Sequence, residues 1–102
     1  MQIEIQGHTD ERLSDHVTAR LEAAVNQHAD RVGRVTVRLT DVNGPKGGVD
    51  QTCKVTVQLA RGGSIIVEET AKEMFTAVSQ AADRIKHAVG REVGRRKDRK
   101  RG

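Results

Sequence analysis

The sequence predicts an α/β domain of the α+β kind, a four-stranded mixed sheet with two helices packed on one face, in the order β-α-β-β-β-α. Three observations carry this prediction. Four short stretches alternate apolar and polar residues, two longer stretches repeat apolar residues every three or four positions, and glycine-rich turns separate the later strands. With 102 residues, 35% of them apolar and 31% charged, the chain is long enough for one core and too short for two.

Gln2-Ile3-Glu4-Ile5-Gln6 alternates with a period of two and forms the first predicted strand, which Gly7 ends. Thr9 or Asp10 supplies an N-cap, and Asp10 and Glu11 suit the positive end of a helix dipole. Leu13, Val17, Leu21, Ala24, Val25 and His28 then recur at helical spacing, predicting a helix over residues 10–29. Val35, Val37 and Leu39 alternate with Arg34, Thr36, Arg38 and Thr40 in a second strand. Asn43-Gly44-Pro45-Lys46-Gly47-Gly48 reads as a loop, so residues 43–50 are expected to be a long hairpin connection. It lacks the spacing and the Ser/Thr of a nucleotide-binding loop. Cys53, Val55, Val57 and Leu59 mark a third strand, Arg61-Gly62-Gly63 a hairpin turn, and residues 65–69 a fourth strand. Phe75, Val78, Ala82, Ile85, Val89 and Val93 form one apolar stripe on a second helix, with Phe75 expected in the core. Gly90 and Gly94 each weaken that helix by about 1 kcal/mol relative to Ala. Fraying is expected there, with a domain over residues 1–96 and a basic, disordered tail over residues 97–102.

The helix between the first two strands implies that they pair in parallel with a right-handed crossover. Both helices have one apolar face, so both belong on the same side of the sheet. The opposite side then shows Gln2, Glu4, Thr36, Arg38, Lys54, Thr56 and Gln58 to water. Arg38 and Lys54 are expected to form ion pairs there with Glu4 and Glu68.

Charge is distributed unevenly. Residues 84–101 hold nine Lys/Arg (Arg84, Lys86, Arg91, Arg95, Arg96, Lys97, Arg99, Lys100, Arg101) against Glu92 and Asp98, a net of +7. The whole chain carries +4, so residues 1–83 carry −3. A mildly acidic domain ending in concentrated cations attracts polyanions by releasing their counterions. At about 100° per residue, Arg84, Arg91 and Arg95 share one flank of the second helix, and Lys86 and Lys97 the other. Arg12, His16 and Arg20 are spaced by four on the first helix and are expected to flank a groove with Arg84 and Arg91. With no Trp, no Tyr and a single Phe, the chain is not expected to stack bases; phosphates, 2′-hydroxyls and shape are the expected handles on RNA.

The residues supply no case for an enzyme. Cys53 is the only cysteine and alternates with core residues, so it reads as a buried small hydrophobe. His8, His16, His28 and His87 lack metal-ligand spacing, and the carboxylates are scattered. No cofactor, metal or small-molecule substrate is expected, and no homodimer is indicated. The opening Met1-Gln2-Ile3-Glu4-Ile5 has neither a basic n-region nor a long apolar stretch, so a soluble, cytoplasmic protein without membrane contact is expected. Three partner classes remain open on charge alone: a nucleoprotein surface, a general duplex RNA or DNA, and an acidic protein under regulation.

Several segments together carry a resemblance. They are the opening Met1-Gln2-Ile3-Glu4-Ile5-Gln6-Gly7, Val17-Thr18-Ala19-Arg20-Leu21, Asp30-Arg31-Val32, Glu73-Met74-Phe75-Thr76-Ala77-Val78, Asp83-Arg84-Ile85 and the terminal Lys/Arg cluster. In that order the chain resembles the ribosome hibernation promoting factor family, which includes the ribosome-associated inhibitor and the sigma-54 modulation proteins. The resemblance implies a double-stranded-RNA-binding-like fold. It also implies binding to the small ribosomal subunit where mRNA and tRNAs meet at the A and P sites, and inactivation of idle ribosomes during starvation or cold. Arg20, Arg84, Arg91 and Arg95 match basic positions of the family's helices. With Arg12, Lys86, Arg96 and Lys97 they make up the candidate contacts to 16S rRNA. The chain is similar to the family's short form, which lacks a C-terminal dimerisation domain.

Overall fold

Valine-rich alternation on the two central strands produces a sheet with one dry face, and that face determines where everything else packs. The structure, a computed structural model, describes the backbone of residues 2–7, 9–43 and 49–101, and their side chains except at 42, 43, 49 and 95–101. The elements are β1 (Gln2–Gly7), α1 (Glu11–Val25), a 3₁₀ segment (Asn26–Arg31), β2 (Val32–Asn43), β3 (Val49–Leu59), β4 (Ser64–Ala71) and α2 (Met74–Arg101). The sheet order is β1-β2-β3-β4, with β1 and β2 parallel and the other pairs antiparallel. This is the predicted order and the predicted mixed sheet.

The register places Val35 opposite Val57, Val37 opposite Val55 and Leu39 opposite Cys53. All six are buried. Leu13, Val17, Leu21, Ala24 and Val25 of α1 close over one part of this layer. Ala77, Val78, Ala81, Ala82, Ile85, Val89 and Val93 of α2 close over the other. Both helices therefore lie on one side, as their apolar stripes require. The small Ala77, Ala81 and Ala82 let the α2 backbone approach its neighbours closely. Among the described residues no charged or polar side chain is buried in this core.

α1 is capped by Asp10, whose Oδ1 accepts from the Leu13 amide at 2.8 Å, a bond that typically contributes about 1 kcal/mol. The helix ends at Val25, four residues before the expected end at residue 29. The chain tightens into the 3₁₀ segment, and His28 leaves helical geometry at φ −128° and ψ 30°. Continuing the α-helix would carry the chain past the start of β2 at Val32.

β2 and β3 are longer than their apolar alternation suggests, because pairing continues to Asn43 opposite Val49. The ladder there passes through the polar pairs Thr40–Thr52 and Asp41–Gln51, with Gln51 Nε2 donating to Asp41 Oδ1 at 2.8 Å. Both ends of the expected 43–50 loop are thus strand, and residues 44–48 lie outside the described residues. The β3–β4 turn has Gly62 at φ +100° and Gly63 at φ +91°, which fits the predicted Arg61-Gly62-Gly63 hairpin. Side chains at both positions would meet the steric barrier to positive φ.

Phe75 is not in the core. It is 43% exposed, and its ring lies against His16 with centroids 4.7 Å apart. It sits in the first turn of α2, at the edge of the apolar stripe. α2 also continues to Arg101, beyond the expected end near residue 96. The buried stripe holds the helix down as far as Val93. A Cβ on Gly90 or Gly94 would meet nothing within 4 Å, so those glycines face away from packed neighbours.

Three measurements test these packing arguments. At Gly7 φ is +99° and a Cβ would overlap the Leu39 carbonyl, so Gly7→Ala is expected to cost about 2 kcal/mol or more in urea unfolding. Gly90→Ala, in open space, is expected to stabilise by about 0.5–1 kcal/mol in the same assay. Burial pushes the Cys53 thiol up from 9.0 to about 12. Below pH 9 both folded and unfolded chains keep the proton, so the thiol contributes nothing to the pH dependence. Between pH 9 and 12 only the unfolded chain loses it, and stability falls as pH rises. Cys53→Val should remove that component of the alkaline loss, and native Cys53 should resist thiol reagents at neutral pH.

Candidate nucleic-acid interface

The basic residues of α2 divide between two flanks because the apolar stripe fixes the rotation of the helix. Ile85 and Val89 point into the sheet. From Arg84 to Lys86 the side chain swings by about 200° around the axis, so these neighbours emerge on opposite sides.

α1 packs against the flank that carries Phe75, Ser79 and Lys86. His16 on α1 places Nε2 3.3 Å from the Phe75 carbonyl and 3.2 Å from Ser79 Oγ. His16 therefore joins the two helices. Farther along, Arg20 and Lys86 line a shallow cleft of about 130 Å³ with Ala23, Ala24, Ala82 and Asp83. The alanines create the cleft, since nothing larger fills the space between the helices.

The other flank lies beside β4. Arg84 Nη1 donates to the Glu68 carbonyl at 3.4 Å and forms an ion pair with Glu69. Arg91 lies two turns on, exposed on the same flank. The expected groove between the Arg12-His16-Arg20 row and Arg84 and Arg91 is therefore corrected: Lys86, not Arg84 or Arg91, faces α1. Packing of α1 against Phe75 and Ser79 selects that flank.

Among the described residues the ion pairs within 4.0 Å are Arg31–Asp30, Arg84–Glu69 and His87–Asp83. Arg12, Arg20, Lys86 and Arg91 are in none of them and are exposed. Arg84 is already engaged by a carboxylate, which lowers its value as a phosphate ligand. The side chains of Arg95, Arg96 and Lys97 lie outside the described residues.

Two features escaped the sequence reading. Phe75 is an exposed aromatic, so the expectation that no aromatic is available to a base is withdrawn. The only sequence signal was its place at the head of the stripe, one turn before the first fully buried residues. Arg38 and Lys54, expected to pair with Glu4 and Glu68, form no ion pair. The hairpin register, which places them opposite each other, was the missing information.

The described residues hold no group of three or more His, Cys, Asp or Glu placed to bind a metal. No helix among them is long and apolar enough to cross a membrane. The arrangement on α1 and α2 is suited to contacting phosphates along two lines separated by the width of one helix.

Comparison with known proteins agrees with this fold. The ribosomal subunit interface protein from Coxiella burnetii superposes with a TM-score of 0.78 at 13% identity, covering 92% of this chain and 99% of that one. The N-terminal domain of Thermus thermophilus Protein Y superposes with a TM-score of 0.67 at 22% identity, covering 88% and 93%. No curated protein matches the sequence significantly. The family model described as sigma 54 modulation protein / S30EA ribosomal protein matches residues 3–97. That match spans almost the whole fold, from β1 into the basic end of α2, and the chain belongs to the sigma 54 modulation protein / S30EA ribosomal protein family.

Proposed function

We propose that this protein is a ribosome-associated hibernation factor. It binds the small subunit in the mRNA–tRNA channel at the A and P sites and inactivates idle ribosomes by occlusion. Family membership supports the ribosome as partner, as does likeness to a protein named for the ribosomal subunit interface. The observation that carries the site is the set of exposed cations without acidic partners on the helical face: Arg12 and Arg20 on α1, Lys86 and Arg91 on α2.

These cations contact 16S rRNA phosphates, with Arg84 held beside them by Glu69. Arg95, Arg96 and Lys97 extend the same charge along α2, and Arg99, Lys100 and Arg101 add to it. Each phosphate contact contributes roughly 0.7–0.9 to the steepness of the salt dependence. The protein performs no chemistry in this reading: its bulk excludes mRNA and tRNA while the cations hold it in place.

Sedimentation through a sucrose gradient tests this. The protein in a stationary-phase lysate is expected to travel with small subunits and whole ribosomes and to remain there with excess duplex RNA. Arg20→Glu/Lys86→Glu/Arg91→Glu should lose at least tenfold in association at moderate salt while staying folded, because all three side chains are exposed. Arg84 is left intact in this variant, since a Glu there would face Glu69. Undiminished pelleting of the triple variant would overturn the site. Release by duplex RNA would identify a general duplex-RNA binder instead, and nuclease-resistant capture by an acidic protein would identify a protein regulator.

A further inference from the structure

The face of the sheet turned away from the helices carries a second concentration of unmatched charge. The register sets its side chains in rows. One row crosses the sheet as Gln6, Arg38, Lys54 and Glu68, and the next as Glu4, Thr36, Thr56 and Ile66. Arg38 and Lys54 are thus directly opposed on the two central strands. Like charges in that position cost stability, and neither is in an ion pair.

The acids on this face do not relieve the repulsion. Glu4 and Glu68 lie on the edge strands β1 and β4. Glu4 accepts from Gln6 Nε2 at 3.4 Å, and Glu68, though in register with Lys54, forms no ion pair with it. Asp50 is on the same face of β3, at its far end and four residues, about 13 Å, from Lys54, so the centre is basic and the rims acidic. Gln6, Thr36, Arg38, Lys54 and Thr56 line a shallow depression of about 130 Å³. Arg34 is exposed on the same face of β2, four residues and so about 13 Å from Arg38. Cations flanking two threonine hydroxyls and an amide offer only donors or neutral groups to an incoming anion.

We infer that this open face is a second RNA-binding surface, which takes the phosphodiester backbone of a single strand across β2 and β3. Phosphate oxygens supply the acceptors that Arg38 and Lys54 lack and remove the repulsion between them. The chemistry favours a nucleic-acid backbone over a protein. Among the described residues the one large apolar side chain here is Ile66, 60% exposed and off to the side on β4, so the described part of the face has no apolar centre of the kind that anchors a protein interface. It has no aromatic either, so backbone and not base is the ligand. A local rule broken without internal compensation marks a site where the compensation comes from a ligand. This surface lies on the opposite side of the molecule from the helical cations. It rests on the proposed function only for the source of the RNA.

The test has two arms. In the first, oligouridylate is titrated into the isotope-labelled full chain, with oligoglutamate as the comparison. Amide shifts at Thr36, Arg38, Lys54 and Thr56 with oligouridylate alone are expected. Shifts confined to α1 and α2, or equal shifts with oligoglutamate, would overturn the inference. In the second arm, Arg38→Gln/Lys54→Gln should keep or raise the thermal midpoint. It should also make the salt dependence of small-subunit binding shallower by about 1.5, on the order of thirtyfold in affinity per tenfold change in salt. An unchanged slope with an intact fold would overturn the inference while leaving the helical site standing. A wild-type chain that never sediments with ribosomes, yet still shows the sheet response to oligouridylate, would refute the proposed function and retain this surface.

Discussion

The rest of the structure depends on one aliphatic layer. β2 and β3 present Val35, Val37, Leu39, Cys53, Val55, Val57 and Leu59 to the helices, with no polar atom to set orientation. Burial area and close packing set which faces of α1 and α2 turn to the sheet. Because α2 must put Val78, Ile85, Val89 and Val93 into this layer, its rotation about its own axis is fixed. The direction of each described cation on α2 follows from that rotation. The core thus organises the cationic surface without sharing a residue with it.

Among the described residues the core buries no polar side chain, so their charge lies at the surface, and the surface separates cations that are matched from those that are not. Arg84 shows the difference. It shares a flank of α2 with Arg91, yet it meets Glu69 and the Glu68 carbonyl of β4. Exposed pairs of this kind contribute little to stability, so the main consequence of the contact is to position α2 against the sheet edge and to remove one cation from the set free for phosphates. His16 has a comparable role on the other flank, where it joins α1 to the start of α2 through the Phe75 carbonyl and Ser79.

Strand order, the parallel β1–β2 pair and the side of the sheet that the helices cover were legible in the sequence, because each rests on periodicity and handedness. The first helix and the loop were less so. His28 fits the helical spacing of Leu13, Val17 and Leu21, but periodicity does not register that the chain must reach Val32 in time to pair. Asp41-Val42-Asn43 and Val49-Asp50-Gln51 hold one valine each beside a loop-like glycine run, so their pattern does not mark them as strand; the ladder hydrogen bonds of the neighbouring pairs carry them. The charged candidates were legible as a set but not as a geometry. Helical angles correctly divided Lys86 from Arg84 and Arg91. Only packing revealed which of the two flanks α1 would choose.

Phe75 and the Arg38–Lys54 pair show why that last step matters for function. A lone aromatic at the start of an apolar stripe reads as core, and two cations on a face that also holds Glu4 and Glu68 read as neutralised. Both inferences use composition of a face where the deciding quantity is adjacency. Once register is known, Arg38 and Lys54 are nearest neighbours and the carboxylates stand at the rims. The same net charge that looks balanced as a sum is then polarised across the sheet, positive at the centre of β2 and β3 and negative on the edge strands and at Asp50 at the far end of β3. An extended polyanion responds to the arrangement of charge and not to its total, because the counterions it releases are those displaced where cations actually meet phosphates. A protein with net charge of only +4 can therefore present concentrated cationic surfaces on more than one side.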